Sequence, residues 1–227
     1  VVTFTTAEKT ICWTVLEFLD QETSKTNNNF RSSEWGPEAA DVMCKEIRDY
    51  PAVRGMKMGD LIDATPKEVI CKVMLEEKLF ETWTYGRTVL MGDACHKMNP
   101  SAGLGALTAM GDAVVLANYI NTLTTVGSED VEKVLKAYTA ERYPVGKASV
   151  EISADRSKTI KQDFTARLMR AIIKHIPKWL WIAINAKSIR SRPQISFLPL
   201  VEDKCKVKVF HQPSLKDTRP KDMAVDV

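Results

Sequence analysis

A carboxylate set between a short apolar strand and a glycine-flanked helix start is the arrangement in this chain with the clearest chemistry. It lies in Gly86 to Leu123, GRTVLMGDACHKMNPSAGLGALTAMGDAVVLANYINTL. Thr88 to Met91 reads as a strand that Gly92 and Asp93 end. Pro100 to Gly105 reads as a turn containing Gly103 and Gly105. From Gly105 to Leu123 the residues are good helix formers with few charges, so a buried helix is expected, starting between Ala102 and Leu107. The first N–H groups of a helix have no partner within it, and they can bind an anion or a polar carbonyl. Gly103 and Gly105 let a ligand come close to the backbone. A carboxylate beside such a site is out of place for a bare phosphate, but it suits a ligand that also carries hydroxyl donors. A sugar phosphate or polyol phosphate has that chemistry.

The elements around this segment must position it. Val1 to Thr6 and Thr10 to Leu19 read as two strands of a hairpin. The polar stretch QETSKTNNNFRSSEWG reads as a loop or lid. Pro37 opens a predicted helix, PEAADVMCKEIRDY, with proline in the favoured first turn. A short helix is predicted over Met58 to Ile62, and another from Pro66, PKEVICKVMLEE. Ser128-Glu129-Asp130 caps a helix predicted to run to about Tyr143, where Pro144 should kink or restart it. Asp163 to Lys187 reads as helical with a break at Pro177, the tail from Ser191 as mostly irregular, and LPLVEDKCKVKVFHQPSLK within it as a solvated, partly ordered extension. No internal repeat is present.

Composition removes several classes of function. Of 227 residues, 44% are hydrophobic, enough for one or one and a half globular domains. With 32 Lys+Arg against 29 Asp+Glu, the net charge of +3 is too balanced to argue for nucleic acid as a partner. Cys12, Cys44, Cys71, Cys95 and Cys205 are odd in number and scattered, the pattern of reduced thiols in a cytoplasmic protein. None has zinc-site spacing, so no metal site is expected. No signal-peptide pattern opens the chain, and no uncharged apolar run is long enough for a membrane span.

The run GRTVLMGDACH, followed by P-x-x-G-x-G at Pro100 to Gly105 and A-x-x-D-A at Ala109 to Ala113, resembles the second FAD fingerprint of the aromatic-hydroxylase-type flavoprotein monooxygenases. DACHKMNPSAGLGALTAM and RPQISFLPLVEDK look most like fungal members. The resemblance implies an α/β (α+β) fold: an FAD-binding segment at 86–127, part of a substrate-covering sheet with helices at 1–85, C-terminal helices at 128–190, and an irregular tail at 191–227. It implies FAD as cofactor, NAD(P)H as reductant, and O2 and a small organic molecule as substrates.

The resemblance implies cofactor-binding positions at Gly92, Asp93, Pro100, Gly103, Gly105, Ala106 and Leu107. Carried over by residue, Asp93 would bind the ribityl hydroxyls, and the backbone around Pro100 would line the flavin ring. Gly103 and Gly105 shape the turn, and the N–H groups of Ala106 and Leu107 face the flavin pyrimidine carbonyl. No catalytic side chain is implied, since the cofactor carries the chemistry. Members of that family often have a polar residue at the position of Leu104, Asn at that of Leu107 and an acidic residue at that of Gly111. The G-x-G-x-x-G unit that binds the ADP part of FAD has no counterpart here, because Thr108 stands where a third glycine would follow Gly103 and Gly105. The chain is therefore expected to be a fragment holding the flavin side only, and not a competent monooxygenase alone. The alternative is a non-catalytic remnant or interaction module.

Other residues each have a plain reading beside the functional one. His96 is either a hydrogen-bonded structural histidine or an acid-base group, the former being commoner. Asp112 has either a helix-surface or ion-pair role or a structural one near the cofactor. Cys95 reads as a buried, inert thiol rather than a redox centre. Trp13, Trp35 and Trp83 read as core or pocket walls, and Trp13 and Phe18 could line a substrate pocket. The segment Asp163–Lys187 interleaves Leu168, Ile172, Ile176 and Leu180 with Arg170, Lys174 and Lys178, and adds Trp179 and Trp181. It either packs its apolar side on the domain or lies peripherally on an anionic membrane.

Overall fold

The computed structural model describes residues 1–17, 37–53, 55–73, 75–160, 164–202, 204–205 and 207–215. The predicted polar lid, Phe18 and Trp35 lie outside the described residues. The chain mixes helix and strand in two compact units, Val1–Leu75 and Glu76–Val227.

In the first unit, β1 (Val2–Thr5) and β2 (Ile11–Thr14) form the expected antiparallel hairpin, with Val2 opposite Thr14. Helices α1 (Pro37–Glu46) and α2 (Met58–Asp63) begin where predicted. Ile47, Met58 and Leu61 form the buried cluster, with Trp13, Val15 and Met43 packed against it. Trp13 donates its indole N–H to Thr65 Oγ1 at 3.0 Å, so it is a core edge residue of this unit. The helix predicted from Pro66 does not form; only a 3-10 turn, Lys67–Val69, is present. The β-branched residues Val69, Ile70 and Val73 disfavour helix. Val69 and Val73 are exposed, so no packing compensates for that preference.

In the second unit, two short ladders flank the helices. Strand β3 (Lys78–Leu79) pairs with β6 (His96–Lys97), and β4 (Thr84–Tyr85) with β5 (Thr88–Val89). Strand β5 is shorter than the Thr88–Met91 expectation. Two long helices follow, α3 (Gly105–Ile120) and α4 (Ser128–Ile160), which pack on one another. Helix α4 runs through Pro144 rather than breaking there. Proline removes one N–H, but Ala140, whose carbonyl loses its partner, is exposed and can turn to water. Helices α5 (Phe164–His175) and α6 (Lys178–Ile189) flank the predicted break at Pro177.

Helix α3 is buried on one face only. Thr108, Gly111, Asp112, Val115 and Asn118 face inward, whereas Leu107 and Met110 are more than half exposed. The core of this unit is Trp83, Cys95, Val115 and Tyr138. The segment after Ser191 is mostly irregular as expected, and most of its described residues from Phe197 to His211 are exposed, but helix side chains hold it at several points. Ser196 N donates to Asn118 Oδ1, Gln212 Nε2 donates to the Gln194 carbonyl, and Ser214 N donates to Glu141. Asn118, buried on α3, and Glu141, half-buried on α4, anchor it, which no local sequence pattern would announce.

Candidate functional site

Strand β5 leads through Met91 into a 3-10 turn, Gly92–Ala94, which presents Asp93 to solvent. Gly92 has φ +59°, and a Cβ there would sit 3.2 Å from the Ala109 Cβ on α3. Glycine is thus required twice, by the left-handed backbone and by the close approach of turn to helix. Among the described residues, no side chain bonds the Asp93 carboxylate.

A second turn, Pro100–Ala102, precedes α3. Asn99 Oδ1 caps it by accepting from Ser101 N at 3.0 Å, and Gly103 closes it at φ +65°. Helix α3 then starts at Gly105, within the predicted window. Leu104 stands at its N-cap and provides no side-chain cap. Nothing lies within 4 Å of where a Cβ would be at Gly103 or Gly105. Pro100, Ala106 and Leu107 are exposed. The result is an open backbone surface at an uncapped helix start.

Beneath this surface lies a buried polar network. Asp112 is fully buried, and its Oδ2 accepts from Gly92 N at 3.0 Å and from His96 Nε2 at 2.6 Å. Its Oδ1 accepts from Arg142 Nε at 2.8 Å. Arg142, from α4, also donates to the Thr108 carbonyl at 3.2 Å and to Ser191 Oγ at 3.2 Å. Thr108 in turn donates its hydroxyl to the Leu104 carbonyl at 2.8 Å. Burial alone would push the Asp112 carboxyl up. The His96 hydrogen bond, the Arg142 guanidinium and the Gly92 N–H together hold it below its ordinary value.

Asp112 is therefore a buried ion-pair partner of Arg142 rather than a helix-surface residue. His96 takes the structural role, with its Nδ1 buried and unpartnered. Gly111 makes room for this network: a Cβ there would lie 3.0 Å from Arg142 Nη2.

Cys95, His96 and Asp112 offer donor atoms within 4.8 Å of one another. Metal binding does not follow from that spacing. Both Asp112 oxygens already accept hydrogen bonds. Burial, with Asp112 nearby, pushes the Cys95 thiol up to about 12, so it stays protonated.

Sequence reasoning missed Arg142. A signal existed, because Arg142 falls on the same helical stripe as Leu135, Tyr138, Ser149 and Ser153, all buried. A charged residue on an inward-facing helix stripe calls for a buried partner. Which partner it meets could not be read locally, since Asp112 lies 30 residues away on another helix.

Residues 57–153 match the family described as FAD binding domain. The FAD-dependent monooxygenase adrH of Penicillium rubens is 31% identical over 159 residues, covering 67% of this chain and 34% of the relative. The FAD-dependent monooxygenase ptmM of Penicillium ochrochloron is 34% identical over 140 residues, covering 59% and 32%. The FAD-dependent monooxygenase penE of Penicillium thymicola is 28% identical over 208 residues, covering 88% and 42%. The chain thus spans about a third to two-fifths of the length of these relatives. No solved structure matches it.

Proposed function

Because the chain belongs by homology to the FAD-dependent monooxygenases of the aromatic-hydroxylase type, we propose that it builds the flavin side of an FAD site. The enzyme so formed uses NAD(P)H and O2 to put one oxygen atom into a small organic substrate. One observation carries this reading: the turn bearing Asp93 is bonded through Gly92 to the helix whose uncapped start holds Gly105, Ala106 and Leu107. The residues fit the group, because the space before Gly103 and Gly105 is open and the Asp93 carboxylate is exposed.

Asp93 would accept hydrogen bonds from the ribityl hydroxyls. The N–H groups of Ala106 and Leu107 would donate to the flavin pyrimidine carbonyl and favour negative charge there. Leucine at 107 keeps such a backbone contact. Pro100 would line the ring. Bound FAD would supply the redox chemistry, accepting hydride from NAD(P)H and activating O2 for transfer of one atom. The protein's part is to orient the ring and exclude water.

The test is flavin titration of the purified chain, followed by flavin fluorescence. Riboflavin should compete with FAD, and ADP should not, because the residues named here meet the ring and ribityl. Asp93→Ala should weaken riboflavin binding about tenfold, the loss expected for a charge-assisted hydrogen bond. Competition by ADP alone, or equal binding by the Asp93→Ala variant, would refute the assignment.

A second reading, peripheral membrane contact, is favoured by the surface of α5 and α6. Leu168 is 53% exposed, Ile172 56% and Trp179 70%, while Ile176 and Leu180 are half-buried. Exposed Arg167, Lys174 and Lys178 lie among them. Among the described residues, no helix is long and apolar enough to cross a membrane, so any contact through these helices would be with its surface.

A further inference from the structure

The Gly92–Ala94 turn is too short to hold itself. It spans three residues, has no side-chain cap, and contains a left-handed backbone residue. Its own hydrogen bonds both end on the Gly92 carbonyl, which accepts from Cys95 N at 3.0 Å and from Cys95 Sγ at 3.3 Å. The remaining tie at its entry comes from Asp112, 20 residues along the chain.

We infer that Asp112 is the positioning residue of the Asp93 turn: its buried carboxylate fixes the Gly92 N–H to helix α3, and so sets where the Asp93 carboxylate stands relative to the start of that helix. The inference rests on the flavin reading for its functional consequence, though not for its structural content.

The geometry singles out Asp112 for this role. Its Oδ2 accepts from the turn, while its Oδ1 accepts from Arg142, which also holds the Thr108 carbonyl one turn into α3. One carboxylate therefore refers both halves of the candidate site to the same point. His96 Nε2 shares Oδ2 at 2.6 Å and restrains its direction. His96 is itself wedged between Trp83 and α4, with ring centroids 5.5 Å apart and Gly146 closing behind it. A hydrogen bond to a charged acceptor is about twice as strong as a neutral one. An amide of Asn at 112 would fill the same space without the charge, and could not serve three donors as well.

Two measurements test this. In the first, amide hydrogen exchange is followed residue by residue by NMR. In the wild-type chain the Gly92 N–H should exchange at least about tenfold more slowly than a free peptide amide, although it sits at the entry to an exposed turn. Asp112→Asn should raise exchange at Gly92 about tenfold or more, while α4 keeps its protection. Arg142→Lys, which leaves the carboxylate charged and bonded to Gly92, should leave that amide protected. Wild-type exchange of Gly92 at the free-peptide rate would overturn the inference without any variant having to fold. Equal loosening by Arg142→Lys would overturn it too.

The second measurement is a double-mutant cycle on riboflavin affinity. Asp112→Asn should weaken binding about tenfold when Asp93 is present and less than about twofold in the Asp93→Ala background. Equal losses in both backgrounds would mean general destabilisation and would overturn the functional half. If the wild-type chain binds no riboflavin, the flavin reading fails while the exchange experiment still decides whether Asp112 holds the turn.

Discussion

Gly146 lies in the middle of α4, where glycine is ordinarily about 1 kcal/mol worse than alanine. Gly146→Ala should nevertheless destabilise the protein. An ideal Cβ at 146 would lie 2.8 Å from Trp83 Cη2, 3.0 Å from His96 Cδ2 and 3.2 Å from Trp83 Cζ2. Carbon atoms pack best at about 3.5–4.0 Å, so all three contacts fall on the repulsive wall.

Neither neighbour is free to yield. Trp83 is 1% exposed and donates its indole N–H to the Phe80 carbonyl at 2.8 Å. Its ring also lies against Tyr143 and Tyr138, with centroids 5.5 Å and 6.4 Å away. His96 is held by Asp112 at 2.6 Å. Overpacking a rigid site costs about 1–3 kcal/mol, and two fixed rings put this case at about 3. Subtracting about 1 kcal/mol for improved helix propensity leaves a net loss of about 2 kcal/mol. Urea unfolding followed by tryptophan fluorescence measures it: the midpoint should fall with the slope unchanged. An alanine variant as stable as the parent, or more so, would show that the Trp83–His96 layer is softer than argued and that propensity governs position 146.

Other outcomes follow from exposure and charge. At pH 8 the Cys95 thiol, pushed up to about 12, should resist a disulfide reagent until the chain unfolds, whereas exposed Cys71 and Cys205 should react at once; counting released thiolate against urea checks this, and prompt reaction of Cys95 would contradict its buried, protonated state. If α5 and α6 meet a membrane surface, the chain should co-sediment with anionic vesicles, release at high salt, and bind more weakly as Trp179→Ala; absence of co-sedimentation at low salt would end that reading.

Local pattern was enough for the hairpin, α1, the start of α3 and the break at Pro177, because each is set within a few residues by β-branched runs, by proline at a first turn, or by glycine at a left-handed exit. The GD turn and the P-x-x-G-x-G turn were legible for the same reason, and so was the family resemblance that rests on them. Where local propensity and packing disagreed, packing decided. The segment after Pro66 reads as helix in sequence, but its exposed β-branched residues find nothing to bury against. Helix α4 continues through Pro144 because burial along its stripe outweighs one lost hydrogen bond at a solvent-facing carbonyl. The tail at 194–214 stays largely exposed, as expected, while Asn118 and Glu141 fix two of its backbone N–H groups.

The partners of Asp112 belong to this second kind. A carboxylate on a helix can be a surface charge or a buried anchor, and its own neighbours in sequence do not distinguish the two. Only when α3 and α4 pack together, with the Gly92 turn on one side and Arg142 on the other, does burying that charge become tolerable. The sequence by itself therefore determined which residue types could meet a flavin. The tertiary structure decided what holds them in place, because satisfying the buried Asp112 charge takes donors from the Gly92–His96 segment and from helix α4, both distant in sequence.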